Sequence, residues 1–238
     1  MRSPYRGRVA KTGPDTEVLP LFPLGTVLVP GMRLSLHIFE PRYRQLVADL
    51  LDPGDAGAPE FGVVALRQGF ETGTPSEVYR VGTTARLTGV LPHPDGRFDL
   101  AAIGGRRFAI EGLDDASKPY LLASVRWLAE PPGSLDPGLP DSVRRALELH
   151  LRTLLALHAD PGVAEEFAES VTDPQALSYT VARLPSLPLP DRQALLGAAD
   201  TAARLQAGRA VLRRETELLR QLRAVPVSAA TFRRPGTG

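Results

Sequence analysis

The chain contains no cysteine, and this absence removes several kinds of chemistry. Without thiols there is no disulfide framework, no cysteine nucleophile, no iron–sulfur cluster and no cysteine-ligated zinc site. The sequence also lacks an apolar run of about 18 residues, the length that a membrane-spanning helix needs. Residues 1–17 are polar and interrupted by proline and glycine, so they lack the apolar segment of a signal peptide. We therefore expect a cytoplasmic protein that does not contact membranes.

Lysine is scarce and no sign of charge predominates. The only lysines are Lys11 and Lys118, and the net charge of +1 reflects arginines interspersed with acidic residues. Nucleic-acid affinity comes from several cations directed at one phosphate track, which this pattern does not favour. The doublets Arg106-Arg107 and Arg213-Arg214 lack interleaved aromatic residues and are typical of solvated faces. RNA binding is therefore an alternative and not the leading hypothesis.

Catalytic signatures are missing as well. The sequence contains neither a Walker A motif nor a Gly-x-Gly-x-x-Gly loop, so nucleotide binding is not expected. A Ser-Lys protease dyad needs a lysine buried enough to lose its proton, whereas Lys118 precedes a proline and Lys11 lies near the N-terminus. A remote Ser-His-Asp set stays open but has no local support, because there is no Gly-x-Ser-x-Gly elbow. We expect a protein that is not an enzyme.

The histidines do not form a metal-binding pattern. No His-Glu-x-x-His pair is present, and we expect neither a metal site nor a cofactor. His37 is interpreted as packing beside Phe39, His93 as part of a turn, and His150 as lying on an amphipathic surface.

The first half of the chain has the pattern of β structure. Short apolar runs alternate with turn signals such as Pro30-Gly31 and Pro94-Asp95-Gly96, and the second of these predicts a hairpin. The spacing is typical of a small barrel or sandwich of about eight strands. The predicted strands are residues 18–24, 26–29, 32–39, 61–68, 83–91, 98–103, 107–113 and 121–128.

One helix interrupts these strands. Pro41 suits the first helical position because its missing N–H would be unpaired there, and Pro53-Gly54 predicts the end. The apolar residues between them recur at helical spacing and predict an inward face formed by Tyr43, Leu46, Val47, Leu50 and Leu51.

The second half has helical periodicity. Residues 131–140 are rich in proline and glycine and predict a linker. Asp141, Asp173-Pro174 and Asp191 are candidate N-caps of the helices that follow. A long final helix is predicted over residues 200–224, with an inward stripe of Leu205, Leu212, Leu219 and Leu222.

Several segments together resemble a known family. Residues 19–32 (LPLFPLGTVLVPGM) and 36–43 (LHIFEPRY) closely resemble the opening signature of the N-terminal substrate-binding domain of Lon proteases. The resemblance spans residues 17–225 and includes the helical residues 177–179 and 204–215. It continues through residues 61–64 (FGVV), 81–85 (VGTTA), 94–97 (PDGR), 104–108 (GGRRF) and 119–121 (PYL).

The resemblance implies an α+β fold: a PUA-like β pseudo-barrel with an inserted helix, followed by a C-terminal α-helical bundle. The expected boundaries are a disordered N-terminus at 1–16, the barrel at 17–130, a linker at 131–140, the bundle at 141–225 and a flexible tail at 226–238.

The resemblance also implies a function. In Lon this region captures unfolded or tagged polypeptides, while separate ATPase and Ser-Lys protease domains process them. Because those domains are absent from the 238 residues, we expect a non-catalytic binding module or an adaptor in protein quality control. The expected partners are polypeptide substrates or a protease or chaperone, with RNA or a small molecule as alternatives. The oligomeric state stays open.

Four residues are candidates for binding a partner: Phe39, Glu40, Arg42 and Tyr43. A structural interpretation competes with this one and is favoured, because apolar residues at helical spacing usually pack inward. It places Phe39 and Tyr43 in the core and pairs Arg42 with Glu40 or another acid. The peptide-binding hypothesis places a bound peptide in a groove between barrel and bundle or along an exposed sheet edge.

Overall fold

A computed structural model describes residues 17–52, 59–68, 77–155 and 161–224. These residues form seven strands and six helices, which confirms the α+β class. The predicted terminal tails and the helix stop at Pro53-Gly54 lie outside the described residues. The elements are β1 (Glu17–Leu24), β2 (Arg33–Ile38), α1 (Pro41–Leu50), β3 (Glu60–Gln68), β4 (Glu77–Val78), β5 (Val81–Pro92), β6 (Phe98–Asp114), β7 (Leu121–Trp127), α2 (Leu139–Leu155), α3 (Pro161–Ser170), α4 (Pro174–Ala182), α5 (Leu189–Leu196) and α6 (Thr201–Ala224).

Five strands form a closed hydrogen-bonded ring. β1 pairs in parallel with β3 and antiparallel with β7, and the path continues through β6 and β5 back to β3. The short β4 adds to β3, and β2 pairs with the first half of β6. In the described part of the chain, ring closure leaves few strand edges without a neighbouring strand, and one edge of β2, which lies outside the ring, is among them. The narrower description as a PUA-like pseudo-barrel stays a prediction.

The predicted strands at 98–103 and 107–113 are one continuous strand, β6. Gly104 does not mark a turn: its N–H donates to Met32 O, and its C=O accepts from Gly31 N, both at 2.8 Å. A Cβ at this position would lie 2.2 Å from Val29 O. The glycine therefore allows a close approach of two backbones, a requirement that sequence alone does not distinguish from a turn.

The predicted strand at residues 26–29 is wrong, although these residues are largely buried. The carbonyls of Val27 and Leu28 bind side chains instead of a neighbouring strand. The Thr83 hydroxyl donates to Leu28 O at 2.8 Å, and the Arg192 guanidinium of α5 donates to Val27 O at 3.1 Å. An apolar run can thus satisfy its backbone without joining a sheet.

The predicted helix at residue 41 is confirmed. α1 begins with Pro41 in its first turn and buries Tyr43, Leu46 and Val47. These side chains pack against the inward-facing residues of β2, β5 and β6. A second apolar cluster joins the helices to Val27 and Val29, and a third lies between the strands of the ring.

Helix α2 begins at Leu139, within the segment 131–140 that was predicted as a linker. Asp141 consequently lies within the first turn of the helix and is not its N-cap. The linker also packs against the start of α6, since Thr201 N donates to Pro131 O at 3.0 Å and Ala202 N donates to Pro132 O at 3.1 Å. These hydrogen bonds tie the linker to the last helix.

The remaining helix signals had mixed outcomes. Asp173 caps α4 as predicted, with its carboxylate accepting from Ala176 N at 2.7 Å. Asp191 lies inside the first turn of α5, which begins at Leu189, so the predicted cap there is wrong. Helix α3 was not predicted. In α6, Leu205 and Leu212 are buried as expected, but Leu222 is 73% exposed.

His150 is buried, which corrects its assignment to an amphipathic surface. Both ring nitrogens have hydroxyl partners: Nδ1 lies 3.2 Å from Thr216 Oγ1, and Nε2 lies 2.9 Å from Ser186 Oγ. Burial lowers the pKa of this imidazole below its ordinary value. Among the described helices, none combines the length and apolar character that a membrane crossing requires.

Candidate functional site

Three strand segments extend the sheet beyond the closed ring. This three-stranded extension comprises residues 33–38 of β2, 98–103 of β6 and 86–92 of β5, with β6 in the middle. Successive side chains point to opposite faces of a strand, so each segment presents one inward and one outward set. The inward set packs in the cluster that includes α1 and comprises Leu34, Leu36, Ile38, Leu87, Val90, Phe98, Leu100 and Ala102.

The outward face contains a trough with a floor of small residues. Ser35, Ala101 and Gly89 are aligned across the three strands, and none has a large side chain. In the next cross-strand row His37, Asp99 and Leu91 are aligned in the same way. Their larger side chains form one side of the trough. The resulting outer trough has a volume of about 650 Å³.

A second cavity lies beside β2. Its volume is about 190 Å³, and Phe22 and Leu24 of β1 and Tyr43 of α1 contribute to its lining. It shares Ser35, Leu36 and His37 with the outer trough. Among the described residues β2 pairs with β6 alone, so one side of its backbone faces no strand. We call this side the open edge.

Each cavity has one large exposed apolar side chain in its lining. Phe39 lines the second cavity and is 51% exposed, while Leu91 lines the outer trough and is 60% exposed. His37 lies between them, with its ring centroid 6.3 Å from that of Phe39, as predicted. An open edge flanked by two exposed apolar groups can bind an extended peptide by adding a strand, with side chains in the cavities.

A cluster of ionisable side chains lies at the rim of the trough. Asp99 Oδ1 is 2.6 Å from His37 Nδ1, and Asp99 Oδ2 is 2.7 Å from His93 Nε2. These hydrogen bonds, first from His37 and then from His93, lower the pKa of Asp99. Arg97 Nη1 lies 3.4 Å from His37 Nε2, and its Nε donates to Asp95 Oδ2 at 2.7 Å.

The hairpin that supports this cluster is held by a tight turn. Gly96 has a φ of +78°, a conformation that favours glycine, and its N–H donates to His93 O at 2.9 Å. The Arg44 guanidinium of α1 lies so close that a Cβ at Gly96 would be 2.0 Å from Nη2. The turn therefore packs against α1, and His93 is its first residue, as predicted, because its C=O accepts from Gly96 N.

The four residues singled out from sequence lie near one another, with mixed outcomes. Tyr43 is buried and stacks on Phe22 with ring centroids 4.1 Å apart, as the structural interpretation predicts. Arg42 pairs with Glu40, with Nη2 2.8 Å from Oε2, which is also as predicted. Phe39 is exposed, so its assignment to the core is wrong: it follows the last residue of β2, where the inward alternation ends. Their role in partner binding stays a prediction.

Sequence reasoning missed Leu91, His93, Asp99 and Gly89. The hairpin signal at Pro94-Asp95-Gly96 could have paired Leu91 with Asp99 across β5 and β6. No local signal places β2 on the other side of β6, so the contact of His37 with Asp99, 62 residues away, could not be inferred.

The boundary between sheet and helices is closed by a buried ionic network. Glu130 accepts from Arg107, from Arg204 at 3.2 Å and from the Tyr179 hydroxyl at 2.6 Å. Both guanidinium groups are fully buried, which corrects the expectation that Arg107 lies on a solvated face. Burial, followed by the hydrogen bond to Glu130, raises the pKa of Tyr179.

The same two arginines bind backbone carbonyls of the helical part. Arg107 donates to Leu196 O at 2.6 Å and to Ala198 O at 2.8 Å, and Arg204 donates to Leu195 O at 3.1 Å. The two halves are thereby joined through fixed polar contacts.

An open cleft of about 360 Å³ does lie elsewhere along this boundary, between Pro30-Gly31 and residues 170–183. None of its lining residues is a large exposed apolar group. Of the two predicted binding places, the sheet edge therefore has the better peptide-binding features.

The chain is similar to known proteins over most of its length. Residues 18–214 match the family model of the ATP-dependent protease La (LON) substrate-binding domain. Lon protease 2 of Myxococcus xanthus is 28% identical over 207 residues, and Lon protease of Dictyoglomus thermophilum is 29% identical over 215. These matches cover 86% and 85% of this chain but only 24% and 25% of the relatives, so the chain spans about a quarter of their length.

Solved structures show the same fold. The Lon N-terminal domain protein from Xanthomonas campestris is 27% identical, with a TM-score of 0.58, and the match covers 80% of this chain and 95% of that one. The N-terminal domain of Lon protease from the Mycobacterium avium complex is 18% identical, also with a TM-score of 0.58, and the match covers 84% and 98%.

Proposed function

Because the chain belongs to the family of ATP-dependent protease La (LON) substrate-binding domains, we propose that it is a non-catalytic module that binds exposed segments of unfolded polypeptides. The family match supports substrate binding. The proposal adds that binding occurs at the three-stranded extension and that the protein acts as an adaptor in protein quality control, presenting bound segments to a protease or chaperone.

One observation carries the proposal: the open edge of β2 lies between two cavities that each contain an exposed apolar side chain. An extended segment that pairs with Arg33–Ile38 would gain main-chain hydrogen bonds regardless of its sequence. Its alternate side chains would reach the two cavities, where Phe39 and Leu91 offer apolar contact. Such a site selects extended, apolar polypeptide over folded protein.

The expected affinity is modest. Fully burying a phenylalanine or leucine side chain contributes about 1.5–3 kcal/mol, and Phe39 and Leu91 are already about half buried. Each then contributes roughly 1 kcal/mol, and ordering the flexible partner offsets part of the gain. Weak, reversible binding suits a module that passes its cargo on.

Fluorescence anisotropy with labelled unfolded proteins and with extended apolar peptides tests the proposal. The double variant Phe39→Ser/Leu91→Ser should weaken binding by about 30-fold, since two contributions of roughly 1 kcal/mol make about 2 kcal/mol and every 1.4 kcal/mol is tenfold. Leu222→Ser is the matched control, because Leu222 is an exposed leucine on α6 and lies in neither cavity. Its affinity should equal that of the parent chain.

The same assay distinguishes the alternatives. A complete lack of saturable binding across the panel would count against the proposal, as would equal losses in the double variant and the control. Retention of RNA with steep salt dependence, in place of peptide binding, would favour the RNA alternative.

A further inference from the structure

We infer that His37, His93 and Asp99 form a binding site for a divalent transition-metal ion at the rim of the outer trough. This inference does not rest on the proposed function. Each residue offers one ligand atom, and these atoms all lie within 4.8 Å of one another. Two imidazoles and one carboxylate are a donor set that suits zinc, cobalt, nickel or iron in the divalent state.

The backbone places the three donors on one rigid frame. His37 and Asp99 are direct partners across β2 and β6. Asp99 is opposite Leu91 in β5, and His93 follows two residues later, where its N–H donates to Arg97 O at 2.8 Å. The donors therefore come from three hydrogen-bonded segments, an arrangement that keeps them together without a ligand.

Small side-chain rotations convert the cluster into a metal site. In a tetrahedral site with metal–nitrogen bonds of about 2.0 Å, ligand atoms lie about 3.3 Å apart. Asp99 Oδ1 lies 2.6 Å from His37 Nδ1 and Asp99 Oδ2 lies 2.7 Å from His93 Nε2, so each of these contacts must lengthen by less than 1 Å. The ligand atoms lie within 4.8 Å of one another, so a pair at that limit must shorten by about 1.5 Å. Each imidazole now makes one hydrogen bond to the carboxylate. The metal would replace the proton in each of these two hydrogen bonds.

The surroundings determine how the site works. Arg97 Nη1 lies 3.4 Å from His37 Nε2, and metal binding through Nδ1 would place the ring proton on Nε2. Arg97 must then turn toward Asp95, which already accepts from its Nε. His37 is about half exposed, so the remaining coordination positions face water. The site is open to an additional ligand.

Calorimetric titration of the untagged 238-residue chain with Zn²⁺, together with the visible absorption of bound Co²⁺, tests the inference. The parent chain should bind one equivalent. His37→Gln, His93→Gln and Asp99→Asn should each weaken binding by more than the roughly 10- to 100-fold loss caused by removing an outer-shell partner. The intensity of the Co²⁺ spectrum reports whether the site is tetrahedral.

Glu111→Gln is the matched control. It removes the same charge, at the same side-chain exposure, from the same strand β6, but Glu111 pairs with Arg126 and is not part of the cluster, so binding should persist. The absence of one-equivalent binding would overturn the inference. Parent-like binding in Asp99→Asn or His93→Gln would also overturn it, because the ion would then lie elsewhere. Anomalous diffraction at the zinc edge should place the ion between the three side chains.

Discussion

Two carboxylates, in different regions of the molecule, each hold two basic side chains. Glu130 binds Arg107 and Arg204 where the sheet meets the helices, and both arginines are buried. Asp99 binds His37 and His93 on the three-stranded extension, where all three groups are partly exposed. In both clusters one carboxylate contacts two basic side chains. The buried cluster of Glu130 stabilises the fold, whereas the partly exposed cluster of Asp99 is available to ligands.

The physical reason lies in desolvation. A buried charge that loses its partner has no water to replace it, so breaking a buried pair is costly. An exposed pair exchanges its partner for water at a cost of about 0–1 kcal/mol. The extension can therefore change its contacts during binding, whereas the boundary cannot.

The largest expected effect comes from Glu130→Ala. It leaves Arg107 and Arg204 without their carboxylate and removes the acceptor of the Tyr179 hydroxyl. The free energy of unfolding should fall by about 3–5 kcal/mol, the usual result of breaking a buried ion pair. Urea unfolding followed by circular dichroism measures it.

Asp99→Ala completes the comparison. Its partners are histidines at the surface, so its loss should be within about 1 kcal/mol. If Glu130→Ala and Asp99→Ala lowered the free energy of unfolding equally, burial would not explain a difference in stability between the two clusters.

Gly104→Ala should have the next largest effect. A Cβ at this position would lie 2.2 Å from the backbone oxygen of Val29, an atom that cannot rotate away. Overpacking of this kind costs about 1–3 kcal/mol and sometimes more. The shift of the urea midpoint measures the loss, and an unchanged midpoint would mean that residues 26–29 are free to move.

Local signals predicted the parts of the fold that depend on local chemistry. The hairpin at Pro94-Asp95-Gly96, the helix at Pro41 and the cap at Asp173 each rest on residues within one turn of the chain. The burial of Arg107 could not be found in this way, because its carbonyl acceptors in the helical part lie 89 and 91 residues later.

The candidate site divides in the same manner. The segment around Phe39 and Tyr43 was found from sequence because its residues are consecutive, and it does line one cavity. The outer trough was missed because it requires the alignment of Ser35, Ala101 and Gly89 across three strands. Small residues in a row give no signal until the register is known.

His150 gives a smaller effect that depends on pH. Burial lowers its pKa in the folded state below the ordinary value of about 6.5, so the unfolded state binds the proton more readily. The part of the free energy of unfolding that depends on a neutral His150 is complete above pH 6.5. It is lost as the pH falls below that value, by at most about 1.4 kcal/mol per pH unit.

His150→Gln removes this titration and keeps groups that can bind the hydroxyls of Thr216 and Ser186. Urea unfolding between pH 5 and 7 should show a flatter dependence in the variant. Because both chains carry the same carboxylates, the difference between the two curves isolates His150. Parallel curves would contradict the assignment of a buried, neutral imidazole.

The smallest stability effect is expected for Gly89→Ala, the counterpart of Gly104→Ala on the extension. A Cβ at Gly89 would meet only the Cβ of Ala101, at 3.7 Å, which is an ordinary contact. The free energy of unfolding should change by less than about 1 kcal/mol, because alanine restricts the unfolded chain and removes no contact.

The same methyl group should nevertheless weaken peptide binding, since Gly89 and Ala101 form part of the floor of the outer trough. Gly89→Val should weaken it further, because the larger side chain fills more of the trough and β-branched residues are well tolerated in strands. Anisotropy titrations of both variants against one unfolded polypeptide measure the series. If affinity falls as side-chain volume grows while the urea midpoint stays nearly constant, the trough contributes to binding and not to stability. If affinity is unchanged in both variants, the peptide binds at the open edge alone and not in the trough.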